Sequence, residues 1–292
     1  MNVWSSLREV FTYPFMVNAF RAGTIVAIVS AAMGWFMVLR RQSFAGHTLS
    51  LVGFPGAAGA ILLGLSSSLG YFVFCVVAAI IIGTAPRAAT RASYRDESAV
   101  IGSVQAMALA LGFLFVSLYR GNLNGLTGLL FGSFLGITSG QVVALLVIAA
   151  GALVSLGLIV RPVLFASVDP EIAAAAGVPV RVLGIGFIVL LGVAVAETSQ
   201  ITGSLLVFAL LVLPPATAHV ITGRPLLGIT VSVAIALVVT WVSLLIAYYT
   251  PYPTGAFITT LSFAAYVAAR AVRWTSDRSR SRRGPVADGV AS

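Results

Sequence analysis

Two histidines, and one acid at the end of a long apolar run, are the side chains whose placement could do chemistry. His47 lies in the polar island Gln42-Ser43-Phe44-Ala45-Gly46-His47-Thr48-Leu49-Ser50, between two apolar runs and just after Arg40-Arg41. An imidazole there reads as a transient ligand or pore-lining group, or else as a hydrogen-bonding group at a turn or helix cap. Glu197 closes the run Leu191-Gly192-Val193-Ala194-Val195-Ala196 and leads into Thr198-Ser199-Gln200. An acid inside a membrane is costly and usually faces a cavity or pathway, so Glu197 reads as part of a cation path or gate, or as a solvated helix end. Gln200 and Thr202 can hydrogen-bond across helices. His219 follows Pro214-Pro215. A double proline breaks or kinks a helix, and broken helices often flank transport sites. Its place near an arginine-bearing edge nevertheless suits a helix-end role better. Neither histidine sits in His-Glu-x-x-His, the pattern of an intramembrane metalloprotease, and nothing positive supports a serine protease dyad.

The elements that hold these residues are apolar throughout. The chain is 59% hydrophobic and only 9% charged, with mean hydropathy +1.06, whereas about a quarter of the residues in a soluble domain are charged. Apolar runs near 20 residues recur along its length, the pattern of a polytopic helical membrane protein. A closed barrel would show short alternating strands instead. The N-terminus carries no convincing cleavable signal. All 17 basic residues are arginine, which excludes a Walker A loop with its phosphate-binding lysine. If ATP drives this protein, another chain hydrolyses it. The +9 charge falls in loops and the C-terminal tail and reports topology rather than nucleic-acid binding. The single Cys75 excludes an intrachain disulfide and a cysteine metal cluster.

Spans are predicted near 15–38, 49–65, 69–85, 98–118, 141–160, 182–199, 201–221, 226–248 and 253–270. Arg40-Arg41; Arg87, Arg91 and Arg95; Arg161 and Arg181; Arg224; and Arg270 and Arg273 fall on alternate turns, so the positive-inside rule places them all in the cytoplasm. The C-terminus is then cytoplasmic and the N-terminus outside, with the first 14 residues along the interface. Tyr248, Tyr249 and Tyr252 read as interfacial anchors. Gly128, Gly132, Gly136 and Gly140 recur every four residues, which predicts close helix packing or a re-entrant helix. Residues 1–273 form the transmembrane domain, and 274–292 read as a disordered, Arg-rich cytoplasmic tail.

Segment 161–181 is expected to lie in the cytoplasm. Asp169 can cap a helix, Pro170 suits its first position and Glu171 its positive end. Alanines extend that helix and Gly177 stops it. A helix of about two turns follows, either a plain loop helix or a coupling helix that docks into an ATPase; the residues alone leave both open.

Several short motifs occur in one order: Val38-Leu39-Arg40-Arg41 with Ser43-Phe44-Ala45-Gly46; Leu49-Ser50 and Pro55-Gly56; Arg95-Asp96-Glu97 with Ile101-Gly102; Leu130-Phe131-Gly132-Ser133; Asp169-Pro170-Glu171 with Ala174 and Gly177; and Gln200-Ile201-Thr202-Gly203-Ser204 running into Leu213-Pro214-Pro215-Ala216. Together, and up to about residue 270, they resemble the membrane subunit of the zinc/manganese/iron ABC importers. The resemblance implies an all-α integral membrane bundle of about 8–9 transmembrane helices with the type II importer permease fold. It also implies a second copy of the chain, a separate ABC ATPase and an extracytoplasmic metal-binding receptor. In that arrangement this chain binds no cofactor, the partner uses ATP, and Asp169, Pro170, Glu171, Ala174 and Gly177 form the ATPase contact.

The family typically continues Ser-Phe-x-Gly with Asp-Ala-Leu-Ser-His, where Asp and His share one helix face. Here the Asp position is His47 and the His position is Leu51. A hard oxygen ligand has become an imidazole, which zinc accepts more readily than manganese does. The resulting expectation is a non-enzymatic, multi-pass permease of the cell membrane for a divalent transition metal, zinc first, then manganese or iron. Its path is expected to include His47, Ser50, Leu51, Glu197 and Gln200, with His47 the candidate metal ligand. The altered pair also leaves room for a metal chelate or another small solute as cargo. A secondary transporter would not need segment 161–181 to dock anything.

Overall fold

The computed structural model describes residues 10–85, 91–119 and 136–282, except for the side chains of 91–96, 205, 277 and 279–282. Among the described residues the chain is a bundle of ten α-helices: α1 Pro14–Leu39, α2 Ser43–Leu62, α3 Ser67–Thr84, α4 Arg91–Leu118, α5 Ser139–Val168, α6 Pro170–Ala175, α7 Val180–Thr202, α8 Ser204–Ile221, α9 Pro225–Tyr249 and α10 Thr254–Arg282. Eight are long and apolar enough to cross a membrane. The helix α8 is shorter; its 18 residues give about 27 Å of rise against a hydrocarbon core of about 30 Å. Long and shorter helices together match the nine predicted spans.

The core is built around α1 and α2. The first of these packs against α5, α8 and α9, and the second against α3, α4, α7 and α8. Glycine permits the tightest of these approaches. A Cβ on Gly56 of α2 would collide with the carbonyl of Gly70 in α3, and one on Gly70 with the carbonyl of Gly56. Such small-residue crossings hold membrane helices together, because apolar contacts alone do not favour protein over lipid. The outer helix α4 barely touches α3, and both lean on α2.

Two expectations change. Pro162 does not end α5, which continues to Val168. The segment outside the predicted span therefore starts as more helix, and only 169–179 turns away from it. A proline removes one backbone donor, but a long apolar helix packed along one face tolerates that loss. Likewise α10 runs to Arg282, so residues 274–282 are helical where a disordered tail is expected; 283–292 lie outside the described residues. The glycine repeat mostly lies outside them too, and around Gly140 a Cβ would meet open space, so that position makes no close helix contact.

Candidate functional site

His47 sits in the second turn of α2. Its ring lies against Phe208 of α8, with centroids 4.5 Å apart and planes inclined by 58°. Its Nδ1 is buried and has no hydrogen-bond partner among the described residues. Phe44, His47 and Leu51 fall on one stripe of the helix, and each stays partly exposed. Ser50 is on a different face. It is fully buried, and its hydroxyl donates to the carbonyl of His47 at 2.7 Å. Thr48 donates to Oε1 of Gln105 at 3.0 Å, fixing α2 to α4. Pro55 has no N–H and so removes the helical donor that the Leu51 carbonyl would otherwise receive.

Glu197 and Gln200 form a second polar group on α7. Glu197 is only 7% exposed. Nε2 of Gln200 donates to its Oε2 at 3.5 Å and to the Ala196 carbonyl at 3.3 Å, and Oε1 of Gln200 accepts from Ser68 of α3. The structure keeps this group apart from His47. Cys75 of α3 donates to the Leu49 carbonyl of α2 and also stands 3.1 Å from where a Cβ on Gly192 would be. Leu49 and Gly192 are thus level. Counting along the two helices from that level puts Glu197 about 10 Å beyond His47, away from α6. The turn above it is sharp: Gly203 joins α7 directly to α8 with φ 81° and ψ 152°, a region open essentially only to glycine.

His219 takes the helix-end role. It stacks on Trp35 of α1 with centroids 5.0 Å apart and planes 18° from parallel, and its Nε2 lies 3.2 Å from the Trp35 carbonyl. One residue back on α1, Gly34 lets that helix approach the Leu211 carbonyl, whose helical donor Pro215 has removed. Arg273 of α10 then donates to the Val220 carbonyl in the last turn of α8 at 2.9 Å. The end of α8 nearest α6 is thereby fastened to two neighbours.

At that same end stands α6. The Asp169 carboxylate accepts from the backbone N–H of Ile172 at 2.9 Å, and Pro170 opens the helix. Gly177, at φ 83°, donates to Ala174, and Val178 donates to Ala173, both at 3.0 Å; this is the paired-bond stop that a left-handed glycine allows. Only Ala173 faces inward, while Glu171, Ile172, Ala174 and Gly177 are exposed. Sequence reasoning missed Ile172 and Phe208. An apolar Ile172 between two caps was a usable signal, whereas Phe208 is hidden in a uniformly apolar run. The side chains of Arg95 and Asp96 lie outside those described.

This arrangement is a multi-helix membrane bundle with two separate polar groups among its helices and one short helix at an end. A family model described as "ABC 3 transport family" matches residues 12–273. The chain is 31% identical over 263 residues to the chelated iron transport system membrane protein YfeC of Yersinia pestis, covering 90% of this chain and 88% of that one. It is 30% identical over 216 residues to the manganese transport system membrane protein MntC of Halalkalibacterium halodurans, covering 74% and 73%. The solved structure of PsaBC from Streptococcus pneumoniae in complex with Fab superposes with TM-score 0.80 at 25% identity, over 92% of this chain and 95% of that one. The chain belongs to the ABC 3 transport family. It is a multi-pass membrane permease subunit and not itself an enzyme.

Proposed function

We propose that this permease imports a divalent transition metal across the cell membrane, driven by a separate ABC ATPase that docks on α6. The observation that carries the coupling is α6 itself: a helix capped at both ends, exposed on its outer side, joined to α5 through Asp169 alone and to α7 by the short connection 176–179. Asp169, Pro170 and Gly177 set its shape, while Glu171, Ile172 and Ala174 supply the docking face. ATP acts in the partner, and this chain binds no cofactor. The α6 end and the C-terminus are cytoplasmic, consistent with the arginines gathered there.

Cargo delivered by an extracytoplasmic receptor passes Glu197 and Gln200 first and His47 afterwards. A second copy of the chain, docked along the Phe44–His47–Leu51 stripe, brings a second imidazole to the path. Leu51 offers no side-chain ligand. The names of the relatives support manganese and iron as cargo, and the imidazole at 47 supports zinc; the relatives' metal names weigh against an unrelated small solute. The test is cell-associated metal under limitation, read by elemental analysis in a strain lacking the permease, with wild type or His47→Ala restored. A fall in one transition metal in both the deletion and His47→Ala strains is expected. Identical metal contents in deletion and wild-type strains would overturn the metal reading.

A further inference from the structure

Arg40 caps the end of α1 and reaches both sides of the α6 connection. Its Nη1 donates to Oγ of Ser167 at 3.0 Å, its Nε donates to Oε1 of Gln42 at 3.3 Å, and its guanidinium lies 5.4 Å above the ring centre of Phe187. Ser167 is the next-to-last residue of α5, two positions before the Asp169 cap of α6. Phe187 lies in α7, the helix that leaves α6. Gln42 is the buried N-cap residue of α2, five positions before His47. Arg41 holds the intervening turn at φ 57°, a left-handed conformation uncommon outside glycine.

We propose that Arg40 is a positioning residue that couples α6 to α2, so that movement of the docked helix resets the stripe bearing His47. This rests on the coupling role proposed for α6. One side chain touches the helix entering α6, the helix leaving it and the turn that starts α2. A planar fork can donate in two directions and cover an aromatic ring at once, whereas lysine offers one compact charge. Arg40→Lys therefore keeps the positive charge that orients the protein and loses the three-way contact.

The test uses the full permease–ATPase complex, with Cys75→Ser and Phe44→Cys as a reporter on the α2 stripe. Maleimide labelling of the reporter is followed without nucleotide and with ATP plus vanadate, so the readout needs no knowledge of the cargo. In the parent, nucleotide is expected to change the labelling rate about tenfold. Arg40→Lys and Ser167→Ala are expected to shrink that change severalfold while the ATPase still co-purifies and hydrolyses ATP. Adding Ser167→Ala to Arg40→Lys should change little further, because the lysine has already lost the bond to Ser167. Equal nucleotide responses in parent and variants would overturn the role of Arg40 alone. Failure of the ATPase to bind the parent would overturn the α6 reading and this proposal together. Should Arg40→Lys fold poorly, Ser167→Ala tests the bond from Arg40 to α5 by itself, and an unchanged nucleotide response in it would overturn the proposal.

Discussion

The imidazole of His47 and the ring of Phe208 are in direct contact across α2 and α8, 4.5 Å between centroids. Phe208 comes from a different helix and covers part of the one histidine on the proposed path. Six residues further along α8, Pro214 and Pro215 remove two backbone bonds, while His219 and Arg273 fasten the helix end. The covered half of α8 therefore has a bendable point between itself and its anchor.

Phe208→Ala should uncover His47. The expected outcome is faster modification of His47 by diethyl pyrocarbonate in the purified permease, with His47→Gln as the blank. The cost in stability is about 1–2 kcal/mol, below that of truncating a fully buried phenylalanine. An unchanged modification rate would mean that Phe208 does not screen the imidazole.

The caps of α6 make a separate prediction. Asp169→Ala removes the acceptor for the Ile172 N–H and should cost about 1 kcal/mol of local stability. Asp169→Asn keeps an acceptor and should cost less. Gly177→Ala forces a side chain into φ 83° and should cost about 1–2 kcal/mol. Hydrogen exchange over 170–178 checks all three, with faster exchange expected in the order Gly177→Ala and Asp169→Ala, then Asp169→Asn. Exchange in neighbouring α5 should stay slow, since its hydrogen bonds do not depend on these caps.

The same caps explain which parts of the fold were legible in the sequence. Asp169, Pro170 and Gly177 act through bonds to residues within a few positions, so spacing alone reveals α6. The apolar runs reveal the spans for the same reason: crossing a membrane is a property of one segment. The end of α5 was misjudged because Pro162 and Arg161 look like a boundary, and whether a helix survives a proline depends on what packs beside it. The site was legible only in part. His47 and Glu197 stand out as polar residues in apolar surroundings, but the separation between them, the turning of Ser50 onto its own helix and the contact with Phe208 depend on how α2, α3, α7 and α8 are set against one another. No local pattern encodes that.

The crossing of α2 and α3 should be intolerant of even one methyl group. Gly70→Ala places a Cβ against the carbonyl of Gly56, backbone against which no side chain can rotate away. Separating the helices to admit it should cost about 1–3 kcal/mol, lowering the thermal midpoint in detergent. Gly140→Ala, where a Cβ meets open space, serves as the control and should leave the midpoint unchanged. Equal midpoints for both variants would show that α2 and α3 do not approach as closely as the structure has them.

Glu197→Gln separates a cation path from a helix-end role. The amide has nearly the volume of the carboxylate and can still accept from Nε2 of Gln200, so the bond from Gln200 to the Ala196 carbonyl and the link through Gln200 to Ser68 should survive. What disappears is the ability to present a negative charge, in a site only 7% exposed, where attraction to a passing cation is stronger than in water. Losing about 1–2 kcal/mol of that attraction would weaken metal uptake by a factor of about 5–30, seen as a higher half-saturating metal concentration with the folded permease present in normal amount. Gln200→Leu gives the complementary arm. It keeps the charge and removes the amide, so it should disturb the link to α3 and lower the thermal midpoint, while affecting half-saturation less than Glu197→Gln does. If Glu197→Gln leaves half-saturation for every transition metal unchanged, the carboxylate does not face the cargo and the proposed path runs elsewhere.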